Sequence, residues 1–211
     1  MIKVIEKIHH EIRYDLFSDT ELINLFQGSG DQRYGLIKRA IAKGELIHLR
    51  RGLYYLAERY RRHPLNLFAV ALKIYGPSYV SLESALSFHG WIPEAVQTVT
   101  SVSQKRSRRF ETPLGAFHYS RVVSHPFLTG VHPVSFEGGG YLMASPWKAI
   151  ADYVYVTRKN WDGIDPLIHS LRVEEESLQE AKSNELNEIE ESYSNKRVQR
   201  FLSGVRKDLN L

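Results

Sequence analysis

Guanidinium and ammonium groups crowd one stretch of this 211-residue chain. From residue 30 to residue 63 nine Lys or Arg stand against three Asp or Glu, a net of +6, while the whole chain carries +4. Cations gathered locally suit a polyanion, above all duplex DNA, whose phosphates dominate affinity. A turn of 100° per residue puts Ile37, Ala40 and Ile41 on one side of a helix and Gln32, Gly35, Lys38, Arg39 and Ala42 on the other. Gly35 and Ala42 are small enough for close approach to a major groove. Gln32 carries the acceptor and donor that an adenine edge requires, and Arg39 can take a guanine or a phosphate. Ser29 and the free amides at the helix start suit a phosphate. Arg50 and Arg51, in Arg50-Arg51-Gly52, would lie over the neighbouring backbone or minor groove. Ser29, Gln32, Arg33, Tyr34, Lys38, Arg39, Arg50 and Arg51 form the expected DNA-binding set.

Other chemistry-bearing patterns are weaker. Ser145-x-x-Lys148 spells the nucleophile-and-base motif of penicillin-binding enzymes, but no Lys-Thr-Gly or Ser-Asp-Asn element accompanies it. Ser145 before Pro146 also reads as an ordinary helix cap. Gly138-Gly139-Gly140 lacks the Gly-Lys-Ser/Thr of a phosphate loop and reads as a hairpin turn. His9-His10 have no partners at metal-ligand spacing, and His89 beside Gly90 reads as a helix terminus. Lys105 to Phe110 is a second basic stretch, read as a solvated turn and, less favourably, as a clamp on nucleic acid. The expectation is a protein that is not an enzyme, with no catalytic residues, metal or cofactor.

The elements that must position these groups follow from periodicity and punctuation. Residues 1–14 carry Ile2, Ile5, Ile8 and Ile12 at helical spacing. Ser18-Asp19-Thr20-Glu21 reads as a capping box opening a second helix through Phe26. After Gln27-Gly28-Ser29-Gly30 a third helix runs to Lys43, with Gly44 as its stop. Leu46–Leu49 and Leu53–Leu56 read as strands joined by a short turn. Two helices on a tight turn followed by a basic hairpin make a winged helix-turn-helix, expected over residues 1–60.

Glu58 to Pro64 is polar and basic, and Arg59, Arg61 and Arg62 could extend the DNA-facing surface. A mixed α/β domain is expected over residues 64–172. Its helices are read at Asn66–Tyr75, Leu82–His89 and from Ser145, and its strands at Val96–Ser103, Gly115–Val122 and across Val131–Met143. Residues 173–211 form a helical, charged segment: Glu174 to Glu191 holds eight acids and one lysine, and Ser192 to Leu211 turns basic. Intramolecular pairing is the expected result, with a partner or pseudo-DNA surface as the alternative. The fold class is therefore α+β.

Composition sets the outer bounds. With 43% hydrophobic and 25% charged residues the chain reads as an ordinary globular protein. It has no cysteine, which excludes disulfides and thiolate metal sites and suits a reducing compartment. No apolar run approaches the roughly 20 residues of a membrane span, and the first residues show no signal-peptide core. A cytoplasmic protein without a membrane partner is expected.

Three blocks occur in order: Lys43-Gly44-Glu45-Leu46-Ile47-His48-Leu49-Arg50-Arg51-Gly52-Leu53-Tyr54; Tyr79-Val80-Ser81-Leu82-Glu83-Ser84-Ala85-Leu86 with His89-Gly90; and Ala144-Ser145-Pro146-Trp147-Lys148-Ala149-Ile150-Ala151-Asp152. Together they resemble the AbiEi family of type IV antitoxins and related transcriptional regulators, over about residues 17–154. The resemblance implies a winged-helix domain that represses its own operon by binding inverted repeats in double-stranded DNA. It also implies a carboxy-terminal α/β domain that counteracts a nucleotidyltransferase toxin encoded alongside, without a stable complex. The second and third blocks are then core and capping features. Trp147 departs from the family pattern, where a small or acidic residue is expected. A solitary winged-helix regulator, with a ligand-sensing or protein-interacting second domain, is the alternative.

Overall fold

The computed structural model describes residues 2–211, with side chains from Val4 onward; Met1 and the side chain of Ile2, both part of the helix expected over 1–14, lie outside the described residues. Helix α1 (Ile2–Glu11) presents Ile5 and Ile8, with Ile12 just beyond it, to an amino-terminal core. Helix α2 (Asp19–Leu25) begins at a complete capping box, in which Ser18 Oγ accepts from the Glu21 amide at 3.4 Å and the Glu21 carboxylate accepts from the Ser18 amide at 2.8 Å. Strands β1 (Leu16–Ser18), β2 (Leu46–Arg50) and β3 (Leu53–Leu56) form an antiparallel sheet in the order β1-β3-β2. The hairpin matches expectation. The three-residue β1 does not, because it is too short for alternation to register and the cap signal at Ser18 overlays it.

This small sheet buries both faces. Phe17, Leu46 and Leu56 pack on α1, α2 and on Ile37 and Ala40 of α3 (Gly30–Ala42). Leu49, Leu53 and Tyr55 pack on Val70, Ala71 and Ile74 of α4 (Leu67–Ile74) and on Val99, Phe117 and Tyr119 of a second sheet. Alternation of period two assigns the two sets to opposite faces, and each finds its own apolar partner. The linker between them is fixed from within: the buried Asp15 carboxylate accepts from the backbone amides of Arg62 and His63 and from Arg62 Nε at 3.0 Å.

The second sheet has six strands, β4 (Tyr79–Val80), β5 (Val99–Ser103), β6 (Arg108–Thr112), β7 (Gly115–Arg121), β8 (Val131–Phe136) and β9 (Gly139–Ala144), in the order β6-β7-β5-β4-β9-β8. It is mixed: β5 runs parallel to β7 and β4 parallel to β9. The chain leaves β5, passes to the edge as β6 and returns between them as β7. Glu137-Gly138 forms the β8–β9 turn, where a Cβ on Gly138 would come within 2.7 Å of the Phe136 ring.

Helices α5 (Leu82–Phe88), α6 (Pro146–Thr157), α7 (Asp165–Leu171), α8 (Glu175–Leu178), α9 (Ser183–Glu191) and α10 (Lys196–Asp208) complete an α+β chain. The carboxy-terminal segment, set apart in sequence by its charge, supplies Leu178, Leu186, Ile189, Tyr193, Val198, Phe201, Leu202 and Val205 to the same core as β4, β9 and α6. Its acidic and basic halves pair in part, through Arg206 and Glu190. Trp147 is buried edge-on against Trp91 at 5.0 Å. No helix among the described residues is long and apolar enough to cross a membrane.

Candidate nucleic-acid interface

Helix α3 begins where the sequence places it, at a second capping box. Ser29 Oγ accepts from the Gln32 amide at 3.3 Å, and Gln32 Oε1 accepts from the Ser29 amide at 3.2 Å. These bonds satisfy orphan donors of the first turn. They also engage one lone pair of the Gln32 acceptor that a bidentate adenine contact would use, so Gln32 acts here as a cap. The Ser29 hydroxyl oxygen accepts in the cap while its O–H, among the described residues, stays free to donate. Arg33 donates to the Gly28 carbonyl, bracing the turn between α2 and α3.

Along α3, Ile37 and Ala40 are buried, whereas Lys38 and Arg39 are exposed and Tyr34 is 70% exposed. Among the described residues neither Lys38 nor Arg39 forms a salt bridge with a carboxylate. Arg33 and Tyr34 face a groove of about 480 Å³ whose opposite wall is the β2–β3 hairpin, with His48, Arg51, Gly52 and Tyr54. His48 was not among the expected residues. Its position two residues after Leu46 puts it on the helix-facing side of β2, opposite Tyr54, and the two rings lie 5.3 Å apart.

The hairpin tip is pinned to α2. The Asp19 amide donates to the Gly52 carbonyl at 3.0 Å, and a Cβ on Gly52, held at φ +74°, would meet the Asp19 carboxylate at 3.0 Å. The Tyr54 phenol is pushed up to about 12, first by burial and then by the charge of the nearby Asp19 carboxylate.

Arg50 and Arg51 do not act as a pair. A β-bulge between His48 and Arg50 sets Arg50 opposite Leu53, whose face packs on the second sheet. Cross-strand partners share a face, and Arg50 accordingly lies near enough to Tyr119 for its charge to offset part of the upward push that burial gives that phenol. Only Arg51 faces the α3 groove. Arg59, Arg61 and Arg62 do not extend this surface. Arg59 donates to the Lys43 carbonyl, Arg61 donates to the Leu56 carbonyl and stacks on Tyr55, and Arg62 pairs with Asp15.

The second basic stretch is more ordered than a solvated turn. Arg108 to Thr112 is strand β6, and the loop before it wraps Tyr75: Lys105 and Arg108 lie over the ring, and the Tyr75 hydroxyl donates to the Arg106 carbonyl at 3.0 Å.

Ser145 and Lys148 are separated by their partners. Ser145 Oγ caps α6 by accepting from the Lys148 backbone amide and donates to Glu185 at 2.6 Å. Lys148 Nζ is fully buried and donates to Tyr193 Oη at 2.6 Å and to Asp152 at 3.3 Å. Asp152 also accepts from Tyr79, Ser81 and Tyr193. Burial lowers the affinity of Lys148 for its proton against the opposing pull of Asp152, and burial beside Asp152 holds the Tyr79 and Tyr193 phenols well above their ordinary range. The Lys148 ammonium group is thus committed to Asp152 and Tyr193, and the Ser145 hydroxyl to Glu185. His9 bonds the Tyr60 carbonyl and His89 the Ala144 carbonyl. Among the described residues no group of three metal-ligating side chains comes together.

No protein-family model matches this chain, and no curated protein matches its sequence.

Proposed function

We propose that this chain is a sequence-specific DNA-binding repressor of the antitoxin type, acting in the cytoplasm on inverted repeats in its own operon. The order α1-β1-α2-α3-β2-β3, with the sheet ordered β1-β3-β2, fits a winged helix-turn-helix in which α3 is the reading helix and β2–β3 the wing. The observation that carries the reading is the set Lys38, Arg39 and Arg51: exposed cations on α3 and at the hairpin tip, none engaged by a carboxylate among the described residues.

Docking is driven by release of counterions as these groups meet phosphates. Base discrimination falls to Tyr34, Lys38 and Arg39 rather than to Gln32, whose acceptor holds the helix cap. The three sequence blocks that resemble the AbiEi family support autoregulation and the neutralisation, without a stable complex, of a nucleotidyltransferase toxin. A solitary regulator is the second reading, favoured by a cavity on the six-stranded sheet.

Footprinting of purified protein on the DNA upstream of its own gene tests the proposal. Protection of an inverted repeat that outcompetes scrambled duplex is expected; equal affinity for scrambled duplex would overturn sequence-specific repression. A nucleotidyltransferase gene alongside separates the antitoxin from the solitary regulator.

A further inference from the structure

A cavity of about 440 Å³ opens on the face of β5, β7 and β6 that is turned away from the amino-terminal unit. Strand register composes its floor. Thr100 is the partner of His118, and His118 the partner of Arg109, so three adjacent strands set these side chains in one row about 4.8 Å apart; the Thr100 hydroxyl is spent within the fold, donating to the Ser81 carbonyl and accepting from the Ser84 amide. The next position on β7 is Ser120, which is 4% exposed, lines the cavity and has no side-chain hydrogen-bond partner among the described residues. His118 is exposed and equally unpartnered, and Arg109 has only its Nε engaged, by Glu111 at 2.6 Å.

The rest of the lining differs in kind. Ile92, Val96, Val156 and Leu171 make it apolar, and Glu83 at the start of α5 gives it one carboxylate with no hydrogen bond or salt bridge among the described residues. Of the other acids nearby, Glu94 is taken by Arg172 and Glu111 by Arg109. The donors of His118 and Ser120, the terminal guanidinium nitrogens of Arg109, one unpaired carboxylate and apolar surface in the same lining match a ligand that carries both charges on a small apolar body. We infer that this cavity binds a small apolar zwitterion of the α-amino-acid type. Its carboxylate would meet Arg109, His118 and Ser120, its ammonium group Glu83, and its side chain the aliphatic wall. The inference stands independently of the DNA reading, since no residue of the α3 groove takes part.

Calorimetric titration of the full chain with L-leucine, N-acetyl-L-leucine and L-leucinamide tests it. L-Leucine is expected to bind at least about tenfold tighter than either singly charged analogue. Arg109→Gln should weaken leucine and N-acetylleucine about tenfold while sparing leucinamide, and Glu83→Gln should weaken leucine and leucinamide while sparing N-acetylleucine. Both positions carry solvent-facing charge, and the opposite selectivities of the two variants distinguish a lost contact from a lost fold. Absence of binding by leucine, equal binding of N-acetylleucine, or affinity unchanged in both variants would overturn the assignment.

Discussion

Lys148 and Lys38 are the same residue in opposite surroundings. Lys148 is fully buried, and its ammonium group is consumed by Asp152 and Tyr193, with Tyr79 and Ser81 completing the coordination of the carboxylate. Lys38 stands exposed on α3, and among the described residues no carboxylate pairs with it. A buried charge must be satisfied within the fold, because desolvation is costly and nothing outside can repay it. An exposed and unpaired charge is solvated and stays available to a partner. The sequence motif at Ser145-x-x-Lys148 looks more like chemistry than Lys38 does, yet its lysine serves the core.

The contrast breaks most visibly in the buried network. Asp152→Ala strands the Lys148 ammonium group and should cost about 3–5 kcal/mol in urea-induced unfolding; a cost below about 1 kcal/mol would show that the network is incidental. Capping sharpens the other side of the comparison. Ser29→Ala should cost about 1 kcal/mol by removing the α3 cap, whereas Lys38→Gln, about two and a half turns further along, should stay within about 0.5 kcal/mol in the same experiment. The smallest effect is one of pH. The folded chain raises the Tyr54 phenol from near 10 to about 12, so its contribution is complete below pH 10 and is lost as pH climbs towards 12. Tyr54→Phe should therefore lose less stability than wild type over that interval; parallel alkaline losses would remove Tyr54 from the account.

Much of this arrangement is legible in the sequence where a local signal coincides with its structural cause. Both capping boxes are local: Ser18 with Glu21 is readable as a start signal, and the Ser29–Gln32 pair follows the same spacing although Gln32 invited a base-reading role instead. The β2–β3 hairpin is legible from its apolar runs and Gly52. What escapes depends on long-range partners. The β-bulge that turns Arg50 towards Tyr119, the backbone carbonyls that capture Arg59 and Arg61, and the Asp15 that captures Arg62 leave no trace in spacing. Strand β6 is hidden because Arg108 and Arg109 mask its alternation, and its neighbour β7 lies later in the chain. Within the charged run Glu174 to Glu191, Leu178, Ala181, Glu185 and Ile189 are legible at helical spacing, but the burial of Leu178, Leu186 and Ile189 in the main core depends on partners far away in sequence.

The most direct measurement is the salt dependence of duplex binding by the wild type and by a Lys38→Gln, Arg39→Gln, Arg51→Gln variant. Each cation that meets a phosphate contributes about 0.9 to the slope of log affinity against log salt. The variant's slope should be shallower by about 3, with folding intact. An unchanged slope, or a wild type whose affinity for duplex DNA is insensitive to salt, would contradict the assignment of this surface to DNA.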